Sequence, residues 1–327
     1  MDAALQNMCE RFIENRDRVK AAFKWDSSLI YPACANLFCA AGREANPDRL
    51  AQCKQLIKEQ TGVFSNFRGN VRPALACMLS MEDDSEGKLG RVISNYQLLK
   101  QEFWGSGYLV LVSYYLTDLA RNQDAASFAE RGKALYRRMK KEHPFLTSQE
   151  DSVFAVLMAV SEKNDDALVE DMEACYRLLK RRFFSANAVQ TASHVLALSD
   201  DSPDEKVERM MALYDAILQA GGKYGRDFEL AVLAAQAVLP IDPASAATDM
   251  LDADAYLARQ KGYGFWGAGR RARMMHAAMI VSDVYSPQLQ ADAAAMTGTL
   301  AMIAAQQAAS CAVMVGASAA AVSASSQ

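Results

Sequence analysis

Apolar residues recur along most of the chain at three- and four-residue intervals, in segments broken by short polar or glycine-rich stretches. That period predicts amphipathic helices joined by tight connections. Inside these segments a tyrosine returns at Tyr96, Tyr136, Tyr176, Tyr214 and Tyr256, with spacings of 40, 40, 38 and 42 residues. The surroundings return with it, as in Tyr96-Gln-Leu-Leu-Lys100, Tyr136-Arg-Arg-Met-Lys140 and Tyr176-Arg-Leu-Leu-Lys180. Each tyrosine therefore marks the second helix of a repeated pair.

Two further markers keep the same phase. Apolar runs end in Ser followed by acids at Leu79-Ser80-Met81-Glu82, Val160-Ser161-Glu162, Leu198-Ser199-Asp200 and Val281-Ser282-Asp283, which reads as a first helix stopping in a polar turn. Aromatic or glycine-rich connections close each pair: Phe64 to Gly69, Phe103-Trp104-Gly105-Ser106-Gly107, His143 to Ser148, Phe183-Phe184-Ser185 and Gly262 to Gly269. Units accordingly run at 32–69, 70–107, 108–150, 151–188, 189–228 and 229–269, with a half unit at 270–286.

A lone helix pair cannot cover its apolar face, so pairs in series stack into a continuous core. The predicted fold class is all-α: an α-solenoid of six helix-pair repeats of about 40 residues, a superhelix of the tetratricopeptide or HEAT kind. Residues 1–28 form an N-terminal capping helix, 29–286 the repeat array, and 287–327 an alanine-rich, uncharged and partly helical tail.

At Phe67-Arg68-Gly69-Asn70-Val71-Arg72, Ser193-His194-Val195-Leu196-Ala197-Leu198 and Gly264-Phe265-Trp266-Gly267 the chain resembles a bacterial family known as the domain of unknown function four-thousand-and-three. The resemblance covers nearly the whole chain, the tail included. It implies no activity, because no catalytic residues of that family can be carried over.

Composition narrows the classes. The 327 residues hold 39 acidic against 35 basic side chains, a net charge of -4, so no global positive field draws in nucleic acid or an anionic bilayer. Seven cysteines without a C-x-x-C pair fit neither a zinc site nor a secreted disulfide frame, and point to reduced thiols. Met1 to Leu5 run straight into a charged stretch with no apolar core of a signal, so a cytoplasmic location is expected.

The three histidines read as structural. His194 aligns with Leu75, Val156 and Ala277 of sibling units and His276 with Ala74, Ala155 and Ser193, which are packing positions, while His143 before Pro144 belongs to a turn. Gly262, Gly264 and Gly267 satisfy the dinucleotide pattern G-x-G-x-x-G in letter, but they follow a helix where a strand is required. Acidic groups at Glu82-Asp83-Asp84, Asp165-Asp166, Asp200-Asp201 and Asp204-Glu205 read as N-caps and solubilising edges. No cofactor and no metal is expected.

Cations at helix starts are harder to place. Arg270, Arg271 and Arg273 stand where the helix dipole disfavours positive charge by roughly 0.3–1 kcal/mol each, and Arg68 and Arg72 repeat the placement in an earlier unit. Either neighbouring carboxylates (Asp249, Asp252 or Asp254) or helix-end carbonyls offset that cost, or an anion does. The candidate ligand-binding set is therefore Arg68, Arg72, Trp266, Gly267, Gly269, Arg270 and Arg273.

After Asp292 no charge occurs for 35 residues, 14 of them Ala. The tail reads as a helix docking its apolar stripe on the last repeat, with self-association as an alternative; residues 293–327 are also the one candidate for a membrane segment, which Gln306 and Gln307 near mid-span argue against. The expected function is a non-enzymatic helical-repeat scaffold binding a protein or peptide, with no nucleic-acid and no membrane partner. The alternative is a binder of, or enzyme acting on, a phosphate-bearing small ligand near the Gly-Phe-Trp-Gly loop.

Overall fold

The computed structural model describes residues 1–24, 30–69, 71–119, 125–239, 241–264 and 268–292. Among these the chain is all-helical, with fourteen α-helices, one 3-10 turn at Asn66–Arg68 and no strand. In order they are α1 (Ala3–Ala22), α2 (Tyr31–Ala40), α3 (Pro47–Gln60), α4 (Arg72–Ser80), α5 (Ser85–Glu102), α6 (Gly107–Leu119), α7 (Ala125–Glu142) and α8 (Asp151–Val160). There follow α9 (Asp165–Lys180), α10 (Ala186–Ala197), α11 (Pro203–Gln219), α12 (Leu230–Ala237), α13 (Pro243–Leu257) and α14 (Arg270–Asp292). All five marker tyrosines lie on odd-numbered helices.

Odd and even helices differ as their sequences require. Even helices before α14 are the more deeply buried: every residue of α12, and every residue of α8 from Asp151 to Ala159, is buried. Odd helices from α3 onward bury one stripe, such as Phe128, Ala129, Leu135 and Met139 on α7 or Leu168, Met172, Cys175 and Leu179 on α9, and leave the rest to water.

Local signals set the starts. Asn46, Asp84, Asn164, Ser202 and Asp242 cap α3, α5, α9, α11 and α13 through side-chain oxygens that accept first-turn N–H groups, Ser202 in a reciprocal box with Glu205. Pro47, Pro203 and Pro243 add a preset φ at the first turn. After α11 the chain turns away at Gly221, whose φ of 83° suits glycine.

The helices form two compact units. The unit Glu14–Glu162 layers α2, α4, α6 and α8 against one another, with α3, α5 and α7 packed outside them. The end of α1 belongs to it: the Ala45 N–H donates to Asn15 Oδ1 at 2.8 Å, and Arg18 pairs with Glu44 at 2.6 Å. The other unit joins Met1–Ile13 to the chain from Lys163 onward. In it α10, α12 and α14 layer together under α9, α11 and α13. The first half of α1 closes on that unit's last helices, with the Met1 amine on Asp252 and the Phe12 ring 6.2 Å from that of His276.

Two devices join neighbouring pairs in each unit. The first is aromatic: Phe67 meets Tyr96 edge-on at 5.0 Å, Phe103 meets Tyr136 at 5.7 Å, and Phe183 meets Tyr214 at 5.1 Å. Such pairs add roughly 0.5–1.5 kcal/mol beyond the area they bury. At the first of these junctions the chains come so close that a Cβ on Gly105 would stand 2.8 Å from Tyr96 Oη.

The second device is cationic, a side chain of an odd helix or of the turn before it reaching carbonyls at the end of the next even helix. Arg49 donates to Glu82 O at 2.9 Å, Arg131 to Ala159 O at 2.8 Å and Ser161 O at 2.6 Å, Lys163 to Ala197 O at 3.2 Å, and Arg209 to Ala237 O at 2.8 Å. These carbonyls lack a helical partner and carry the negative end of the dipole, so a cation is favoured there.

Candidate functional site

Between α3 and the start of α5 lies an open groove of about 670 Å³. Leu56 and Cys53 supply apolar floor, and Glu59, Asp83, Asp84 and Glu86 line it with acid. Its arginine is engaged: Arg49 reaches Glu82 O and lies 3.1 Å from Ser85 Oγ. The Asp84 carboxylate is held as an N-cap by the Gly87 N–H at 2.8 Å, whereas Asp83 stands exposed at the mouth. The groove thus offers negative charge over an apolar strip.

The connections after odd helices carry a different feature. Phe64 is 102% exposed, Trp104 83%, Phe145 99% and Phe184 89%. Each stands in the same kind of connection, leading from an odd helix to the next even one. In three of the four the connection also has a buried ring (Phe67, Phe103, Phe183) that makes the aromatic junction.

The sequence-predicted arginines are distributed as follows. Arg273 forms a two-pronged pair with Asp254 of α13, Nε to Oδ1 at 2.7 Å and Nη2 to Oδ2 at 3.0 Å, and the bond to that carboxylate raises its already high pKa further. Arg68 donates to the carbonyls of Lys58 and Thr61 at the end of α3. Arg72 begins α4, half-buried, while Arg270 and Gly269 are exposed at the start of α14. Trp266 and Gly267 lie outside the described residues, as do residues 293–327 of the tail. Arg68 and Arg72 belong to one compact unit, Arg270 and Arg273 to the other.

The remaining chemistry-bearing side chains pack. His194 is wholly buried on α10, as its sibling positions predict. His276 shares a 2.9 Å hydrogen bond between Nδ1 and the Tyr263 hydroxyl. His143 sits in its connection, its carbonyl accepting from Thr147 N at 3.0 Å. The six described cysteines are buried and form no disulfide with one another, and burial pushes the thiols of Cys9 and Cys175 up to about 12, so neither supplies a thiolate at neutral pH. Among the described residues no group of three His, Cys, Asp or Glu side chains could hold a metal ion, and no helix is long and apolar enough to cross a membrane.

The family described as "Protein of unknown function (DUF4003)" matches residues 15–308. The chain belongs to this family. It is also similar to the "Uncharacterized protein YeaA" of Bacillus subtilis (strain 168), 26% identical over 226 residues, which make up 66% of this chain and 68% of that relative. No solved structure matches the chain. Family membership brings no catalytic residue to look for, so a functional reading rests on the groove and the exposed rings.

Sequence reasoning took the acids at 82–84 for an N-cap and a solubilising edge, and Asp84 does cap α5, while the aromatics were read as connection markers. The groove escaped it because Glu59 of α3 and Asp83 of the turn before α5 line one groove from stretches 24 residues apart, a relation no local pattern records. The exposed rings left a trace, since Phe103-Trp104 and Phe183-Phe184 are doubled where a junction needs one ring.

Proposed function

We propose that this protein is a non-enzymatic scaffold, a cytoplasmic array of stacked helix pairs continuing as a superhelix, that binds a protein or peptide partner. The observation that carries the reading is the groove beside α3 and α5, apolar at Leu56 and Cys53 and acidic at Glu59, Asp83, Asp84 and Glu86. Its chemistry suits a segment that lays an apolar side chain on the floor and sets Lys or Arg against the rim. The buried, reduced cysteines support a cytoplasmic location.

The alternative, a phosphate site near the start of α14, draws less support. Arg273 already satisfies its guanidinium on Asp254, and Arg68 is committed to helix-end carbonyls.

Selection of a random peptide display library on the full chain tests the proposal. Selected peptides are expected to be enriched in Lys and Arg interleaved with apolar residues, and to lose at least about tenfold in affinity for the Glu59→Lys/Asp83→Lys variant. Peptides with no such bias, or with equal affinity for both proteins, would refute the groove as the binding site.

A further inference from the structure

The fully exposed rings in the unit Glu14–Glu162 stand together. The connection bearing Phe64 touches the one bearing Trp104, because Asn66 Nδ2 donates to Tyr96 Oη at 2.7 Å and lies 3.2 Å from where a Gly105 Cβ would be. The connection bearing Phe145 joins the second in turn: Tyr136, which packs on Phe103, bonds Ser148 O at 3.1 Å, and Tyr108 bonds Glu150 at 3.1 Å. Phe64, Trp104 and Phe145 therefore project from three adjoining connections on one side of the unit.

Cations flank them. Lys100 lies with its Nζ 5.8 Å from the Tyr96 ring, and Lys140 donates to Thr147 O at 2.6 Å inside the Phe145 connection. Arg137 and Lys141 are exposed on the last turns of α7. Glu59, Glu102, Glu142 and Glu150 share this side with Lys58, Lys100, Arg137, Arg138, Lys140 and Lys141, which leaves the cations in excess by two. The other unit carries one such ring: Phe184 is 89% exposed after Arg177, Lys180, Arg181 and Arg182, of which Arg182 pairs with Asp215, while Asp227 accepts from Ser185 Oγ at 2.8 Å.

We infer that this aromatic and cationic side of the unit docks on the surface of an anionic phospholipid bilayer, inserting Phe64, Trp104 and Phe145 at headgroup depth. A ring exposed as fully as Phe64 or Phe145 touches almost nothing of its own protein, so no wall exists to form a slot for a base or a side chain. A bilayer interface supplies its own surroundings. Apolar and indole rings at protruding tips enter the acyl boundary while neighbouring Lys and Arg stay at the phosphates. Charge complementarity selects anionic lipid, since each cation near such a surface favours binding about fivefold. The docking is peripheral and needs no membrane-crossing helix.

Co-sedimentation of the full chain with vesicles tests the inference, using phosphatidylcholine alone and phosphatidylcholine with phosphatidylserine in a three-to-one ratio. The wild type is expected to bind the phosphatidylserine vesicles, to release as salt rises, and to ignore phosphatidylcholine. The triple variant Phe64→Ser/Trp104→Ser/Phe145→Ser removes only exposed rings and should melt as the wild type does while losing at least about tenfold in partitioning. Arg137→Glu/Lys141→Glu should lose as much, through charge alone. Failure of the wild type to bind anionic vesicles, undiminished binding by a folded triple variant, or ring-dependent binding of single-stranded RNA in place of vesicles would overturn the proposal.

Discussion

Replacing Asp151 by asparagine isolates one buried carboxyl and its cost. Asp151 opens α8, is 6% exposed, and accepts the Ser148 N–H at 2.7 Å. Burial pushes its pKa up to about 7; the Ser148 hydrogen bond opposes this and the nearby Glu150 charge adds to it. The folded chain therefore keeps a proton that the unfolded chain releases above the ordinary carboxylate pKa. Stability tied to this group is fully present below about pH 4 and is lost as pH rises to 7, the slope following the proton excess of the folded state. A gap of about three pKa units at about 1.4 kcal/mol each makes the loss roughly 4 kcal/mol by pH 7. The substituted amide would keep an oxygen for the Ser148 N–H and could not titrate. Urea unfolding of both proteins from pH 4 to pH 8 reads the difference directly. The Asp151→Asn variant is expected to gain on the wild type by up to roughly 4 kcal/mol across that range, and a difference that stays constant with pH would refute the reasoning.

Two further outcomes follow from packing. Asp171 Oδ2 holds Lys206 Nζ at 2.7 Å and Lys163 Nζ at 2.9 Å, and Lys206 is 0% exposed, so Asp171→Asn should cost about 3–5 kcal/mol in urea unfolding by stranding a buried ammonium. Gly105→Ala would drive a methyl to 2.8 Å from Tyr96 Oη and should cost about 1–3 kcal/mol, with a smaller penalty in a Tyr96→Phe background.

Much of the helical plan was legible because its signals are local. Three of the recurring tyrosines fall on odd helices because α5, α7 and α11 each offer a ring to the pair before them, as Tyr96, Tyr136 and Tyr214 do for Phe67, Phe103 and Phe183. Of the acidic pairs read as caps, Asp84 caps α5, whereas α9 and α11 are capped by Asn164 and Ser202 just ahead of Asp165-Asp166 and Asp204-Glu205, which occupy the first turns instead. The candidate arginines show the limit. Asp254 could be named beside Asp249 and Asp252 as a partner for Arg273, but only the register of α13 against α14 selects it. The reach of Arg49 to Glu82 O and of Arg131 to Ala159 O spans about thirty residues, and nothing near either arginine announces the carbonyl it will meet. The division at Glu162 is equally silent in the sequence, since the periodic pattern runs through it unbroken.

The cation-to-carbonyl bonds have a bearing on how such a chain can change length. Arg49 holds the end of α4, and Arg131 holds the end of α8, so each bond is made between a pair and its immediate successor. A copied stretch of one tyrosine-to-tyrosine interval, 40 residues from Tyr136 to Tyr176, would arrive with the Ala159 carbonyl for the pair ahead of it and the Lys163 cation for the pair behind. Gene duplication in whole intervals could thus extend or shorten the protein without inventing a new seam, whereas an insertion of half an interval would leave one helix end without its cation and one cation without its helix.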